Sequence, residues 1–301
     1  MVVWDRVAHA WAIAGAAAFL GFAAIGVAAK APVLAGVAAA LAVLWYVLLT
    51  RRSRLRRRLA DVPFPEAWRA ILTDRVSFYR DLPPERRPEF ERDVALFVGE
   101  TRFTGIDGVE VTDDLKVLTA ASAVMLLFHR PDLEYRRISE VLFYPRAFSR
   151  DFKTRGPGRN LAGLHDHYGA VVLSVPELRR SFEPRHGAAH VGVHEFAHAL
   201  DWSGQQWEGL PRGMDARLAE QWSKAYRAEL EKLKQGKSVL DPYAGTDAVE
   251  FFAVSVETYF QTPEELREGA PEIYDLLEQY FRASPKGEAP PPRAKRRPDG
   301  R

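Results

Sequence analysis

His194-Glu195-Phe196-Ala197-His198 lies in the run from Ala189 to Trp202, whose apolar spacing predicts a helix. Positions i and i+4 share one helical face, so two imidazoles converge on one metal with Glu195 beside them. That arrangement suits zinc hydrolysis: two neutral histidine nitrogens, a third protein ligand from elsewhere and an open position for water. Glu195 is then the candidate general base. Val191, Val193, Phe196, Ala197 and Leu200 predict an apolar face opposite the histidines. The small residues Gly187, Ala188 and Ala189 suit a closely packed helix start, and Ser203-Gly204 a helix stop.

The competing reading is a pair of hydrogen-bonded core histidines, and a third ligand decides against it. His190 extends the ladder to i, i+4 and i+8, but eight residues of helix rise about 12 Å, too far for the outer pair to share an ion. It is expected to pack or hydrogen-bond one turn before the site. Candidates for the third ligand are Glu250 and Glu257 in the predicted helix Asp247 to Gln261. Seven residues apart, they share a face, so helical position does not separate them. Asp201 either orients a histidine or binds backbone at the helix end. His165 and His167 are cleft-lining candidates in what otherwise reads as exposed loop.

The composition allows one sizeable core plus extra segments: 301 residues, 47% apolar, and no cysteine for disulfide or thiolate chemistry. A net charge of +2, with basic residues in two clusters, argues against nucleic acid as partner. From Ala8 to Thr50 the chain is almost wholly apolar, broken at Lys30-Ala31-Pro32 into halves of about 20 residues each, the length of a membrane span. This predicts a transmembrane hairpin, with Ala17 and Gly21, and Gly36 and Ala40, as small residues suited to close helix approach. The run Arg51-Arg52-Ser53-Arg54-Leu55-Arg56-Arg57-Arg58 follows directly, and the positive-inside rule puts it in the cytoplasm. The expected organisation is a hairpin with its arginine cluster over 1–58, a globular domain over 59–283, and a disordered basic tail over 284–301.

Within the globular part, helices are expected from Glu66 to Tyr79, from an opening at Leu82-Pro83-Pro84-Glu85 to about Val98, from Leu115 to Phe128 behind a Thr112-Asp113-Asp114 N-cap, from Met214 to Lys234, and twice between Pro263 and Arg282. Phe103 to Val111 reads as extended, and Glu140 to Tyr144 and Gly169 to Leu173 as strands. Ser174-Val175-Pro176-Glu177 closes the last strand and caps a short helix.

Four segments carry a resemblance: Val141-Leu142-Phe143-Tyr144-Pro145, Gly169 to Ser174, His194 to Asp201, and Asp241-Pro242-Tyr243-Ala244-Gly245 through Val254. Together they resemble the Mlc titration factor A family of zinc metallopeptidases, which is similar around its site to the catalytic domain of anthrax lethal factor. The resemblance runs from about Phe64 to Phe281. It implies a helix-rich, zincin-like α+β fold with a small sheet, here preceded by the two-helix hairpin. It further implies that His194, His198 and Glu250 bind Zn2+, that Glu195 is the general base, and that Tyr243 donates to the oxyanion. Glu257 then orients a histidine, and the strand at Gly169 to Ser174 edges the cleft where a peptide adds as another strand. The hairpin, His190 and Val249 depart from the family pattern. The expected function is a zinc peptidase of the inner membrane facing the cytoplasm, its partners a peptide or protein substrate and membrane lipid. Capture of a transcriptional regulator, as in the enterobacterial members, with a largely structural zinc, is the alternative; Glu195 favours the enzyme.

Overall fold

The computed structural model describes residues 6–28, 31–135, 138–146, 169–183, 190–201 and 209–282. The chain divides into two compact units, with the boundary between Phe64 and Pro65. In the first, α1 (Arg6–Ala28) and α2 (Pro32–Asp61) pack against each other. Ala12, Ala35 and Ala42 are buried there, and a Cβ on Gly15 would lie 2.1 Å from Trp45 Nε1. The expected pairs Ala17 with Gly21 and Gly36 with Ala40 are instead exposed. Trp45 decides the contact: its indole needs a glycine opposite it, and its Nε1 donates to the Trp11 carbonyl at 3.3 Å.

Among the described residues, α2 is the one helix long and apolar enough to cross a membrane; the apolar stretch of α1, His9–Ile25, is shorter than expected. α2 also runs on through the arginines to Asp61. Trp11, Phe22, Ile25, Val33, Leu34 and Val43 lie 64% to 76% exposed.

The second unit begins with two helices where one is expected, α3 (Glu66–Arg75) and α4 (Ser77–Asp81), because Val76 takes extended backbone. The break turns Tyr79 into the core, where its hydroxyl donates to Glu91 at 2.6 Å while Arg69 grips the same carboxylate at 2.8 and 2.9 Å. After a 3-10 turn at Pro84–Arg86 come α5 (Arg87–Glu100), β1 (Arg102–Gly105) and α6 (Asp113–Leu127). β1 ends early because the chain turns at Asp107 and Gly108, both with positive φ. At the start of α6 the Thr112 hydroxyl donates to the Asp114 carboxylate rather than capping backbone. β2 (Glu140–Tyr144) stands where expected, and β3 (Ala170–Ser174) is offset by one residue. The three strands form one parallel sheet in the order β1-β2-β3, with Phe103 opposite Val141 and Val141 opposite Val171.

Ser174 closes β3 and caps α7 (Val175–Arg180), accepting the Glu177 N–H at 3.3 Å. Then follow α8 (Val191–Asp201), α9 (Ala216–Lys234), a 3-10 turn at Pro242–Gly245, α10 (Ala248–Gln261), α11 (Pro263–Gly269) and α12 (Pro271–Arg282). The unit is helix-rich α+β with a small sheet, and α8 is packed against α6, α10 and β3. His165, His167, residues 187–189, Ser203, Gly204 and the tail from 284 lie outside the described residues.

Candidate metal centre

α8 is amphipathic in the way its spacing requires. Gly192, Val193, Phe196, Ala197 and Leu200 are buried, with Phe196 edge-on to Phe97 at 5.5 Å. Gly192 permits the approach to α6, since a Cβ there would lie 2.3 Å from Ser122 Oγ. His194, Glu195 and His198 are half-buried on the other side. Val191 belongs with them, not with the apolar face: it precedes His194 by three residues and Glu195 by four.

His190 is the N-cap of this helix. Its Nδ1 accepts the Val193 N–H at 3.2 Å, an arrangement that satisfies one of the orphan donors of the first turn. Burial pushes its pKa down to about 3, so the ring is neutral, and it packs edge-on against Phe182. Val191 N–H finds Ser181 Oγ at 3.0 Å, a second cap that no sequence signal announced because Ser181 lies ten residues upstream.

Glu250 is placed by the start of α10. Asp247 accepts the N–H groups of Val249 and Glu250 at 3.0 and 2.9 Å, fixing Glu250 in the first turn opposite α8. Three ligand atoms then meet: His194 Nε2 and His198 Nε2 are 3.1 Å apart, and Glu250 Oε2 lies 3.2 and 3.4 Å from them. A tetrahedral zinc with bonds of about 2.0–2.1 Å has ligand–ligand edges of about 3.3–3.4 Å, so this triangle fits one face of such a site. Glu250 Oε2 is also buried without a hydrogen-bond partner, although two nitrogens are near. Two imidazole nitrogens and a carboxylate oxygen converging in this way suit a cation.

Glu257 reaches the same histidine from behind. Its Oε1 hydrogen-bonds His194 Nδ1 and its Oε2 accepts the His190 N–H at 3.3 Å. With a proton held on Nδ1, the Nε2 lone pair is free to face the centre. Asp201 resolves as the backbone-binding alternative: it is buried, and its Oδ2 accepts the Gly209 N–H at 2.9 Å. Gly209 has φ +69° and sits where a Cβ would lie 2.4 Å from the Ala248 carbonyl, so it alone fits this junction with the first turn of α10.

The charges follow from this crowding. Burial pushes the His194 imidazolium down, but the carboxylates of Glu257, Glu250 and Glu195 outweigh it and hold its pKa well above the ordinary value. Burial pushes Glu250 up, yet the two histidines keep it below the usual carboxylate range. Tyr243 stands in the turn before α10, its N–H bound by Asp241 at 2.9 Å and its ring 6.2 Å from that of His194. Burial and the Glu250 charge push its phenol well above the ordinary value, so it stays a hydrogen-bond donor.

A known metallo-peptidase family matches most of this chain. The family model described as glucose-regulated metallo-peptidase M90 matches residues 50–282. An uncharacterized protein of Synechocystis is 30% identical over 242 residues, covering 76% of this chain and 88% of its own. Mlc titration factor A of Escherichia fergusonii is 28% identical over 63% of this chain and 76% of its own, and that of Cronobacter sakazakii is 27% identical over 73% and 87%. The chain therefore belongs to the glucose-regulated metallo-peptidase M90 family.

Proposed function

We propose that this protein is a zinc-dependent peptidase that hydrolyses peptide bonds, anchored by residues 1–58 in the inner membrane with its metal centre facing the cytoplasm. The triangle of His194 Nε2, His198 Nε2 and Glu250 Oε2 carries the reading, with Glu195 beside it on α8. Zinc, when bound, supplies Lewis acidity and a water of lowered pKa. His194, His198 and Glu250 hold the ion, and Glu257 keeps the His194 ring turned and its Nδ1 protonated. Glu195 takes the proton of the attacking water and returns it to the leaving amine. Tyr243, protonated throughout, donates to the oxyanion of the tetrahedral carbon. The membrane part of the reading is supported by α2 and by the outward-facing apolar side chains of both N-terminal helices. The arginines after the span support the cytoplasmic orientation.

A second reading, capture of a transcriptional regulator with zinc mainly tying α8 to α10, is favoured by the name of the titration-factor relatives. Glu195 opposes it, because a purely structural site needs no base there. The test is zinc content by elemental analysis of the full chain, together with hydrolysis of a mixed peptide library before and after chelation. Stoichiometric zinc with cleavage lost on chelation and restored by zinc supports the peptidase; stoichiometric zinc with no cleavage supports capture.

A further inference from the structure

We infer that the arginine collar in the last third of α2 is a binding surface for the phosphate groups of anionic phospholipids, an inference that rests on the membrane-anchored reading above. Residues 51–58 hold six arginines and no lysine, and no acidic residue occurs from Arg6 to Ala60. The helix is continuous through them. At about 3.6 residues per turn their spacing spreads the charges around the axis rather than along one stripe. Arg51, Arg52, Arg57 and Arg58 are exposed, and Arg54 is half-buried.

The aromatic residues set the level. Trp11, Trp45 and Tyr46 are 67%, 39% and 37% exposed, and the Trp45 indole bonds the Trp11 carbonyl, so both helices present aromatic rings at the end next to the collar. Such rings settle at the boundary between hydrocarbon and headgroups. A rise of about 1.5 Å per residue puts the backbone of Arg51, Arg52 and Arg54 about 9–14 Å beyond Trp45. The headgroup layer on one side is only about 5–8 Å deep, but side chains on a helix lean towards its N-terminus, here back towards the bilayer. Arg54 does so: its Nη2 donates to the Val47 carbonyl, seven residues earlier, at 2.6 Å. The guanidinium group is also the side chain best shaped to hold a phosphate at two points.

The test uses the full chain in bilayers of phosphatidylcholine mixed with phosphatidylglycerol, followed by mild extraction and quantification of the lipid that stays bound. Wild type is expected to hold phosphatidylglycerol enriched about fivefold or more over the bulk ratio, the weight of a single basic residue at an anionic surface. The enrichment should shrink in high salt and disappear in a variant with Arg51, Arg52, Arg54, Arg57 and Arg58 all changed to Gln. Wild type that inserts into both pure phosphatidylcholine and mixed vesicles yet holds lipid at the bulk ratio overturns this inference alone, as does enrichment indifferent to salt or to the Gln changes. Wild type that floats with neither vesicle overturns the membrane reading and this inference with it.

Discussion

The first and third turns of α10 carry the same residue facing the same neighbouring helix, and the two glutamates do different things. Glu250 meets the Nε2 atoms of His194 and His198; Glu257, two turns on, meets the Nδ1 of His194 and the backbone of its N-cap. The difference lies in α8, not in α10: each carboxylate takes its role from the side of the imidazole it reaches. A single histidine is thereby gripped from both ends, by a candidate metal ligand and by the group that fixes its tautomer.

Exchanging one carboxylate for an amide at each turn separates the roles. Glu250→Gln removes a charged ligand, and zinc affinity measured by chelator competition should fall by more than about 100-fold, beyond the range expected for a supporting residue. Glu257→Gln should cost about 10- to 100-fold in the same assay, with zinc still bound at saturation. Equal losses would erase the distinction between the turns.

The crowding at His194 also predicts a pH dependence. Its pKa in the metal-free fold is raised above that of the unfolded chain, so its charged form stabilises the fold below about pH 6.5 and that contribution fades as pH rises through the raised value. A proton on Nε2 then occupies the place of the cation, and zinc must displace it. Near neutral pH zinc uptake should release a proton, with affinity rising up to about tenfold per pH unit, as checked by calorimetry in buffers of different ionisation enthalpy. A pH-independent affinity would contradict this.

The smallest effect is expected one turn upstream. His190→Ala removes a cap and should lower unfolding stability by about 1 kcal/mol, whereas His190→Asn, another capping side chain, should lose only a few tenths. Neither should approach the zinc loss of Glu257→Gln; if His190→Ala does, the capping assignment fails.

Much of this geometry is visible in one dimension. The i, i+4 histidines with an intervening glutamate need only the helical period, and so does the shared face of Glu250 and Glu257. What separates those two glutamates is the offset at which α10 crosses α8, and no spacing within either helix contains it. The break at Val76 is similar: Trp68, Ile71, Leu72, Val76 and Tyr79 keep helical spacing, and the partners that Tyr79 meets in the core, Glu91 and Phe90, lie on another helix. Small residues mislead for the same reason. Gly21 and Gly36 look suited to helix contact, but Gly15 is the one that faces an indole, and Gly192 is where the described part of α8 meets Ser122. Tertiary partners, not local pattern, choose which glycine is used.

The most direct test of the central claim is Glu195→Gln in the full chain, with zinc content and peptide hydrolysis measured on the same preparation. The side chain is no ligand in the triangle, so zinc should stay stoichiometric while turnover falls by about 10²- to 10⁴-fold with the loss of the general base. Turnover at the wild-type rate with zinc in place would contradict the assignment of Glu195 as the general base, and no turnover by either protein with zinc in place would favour the capture reading over the peptidase.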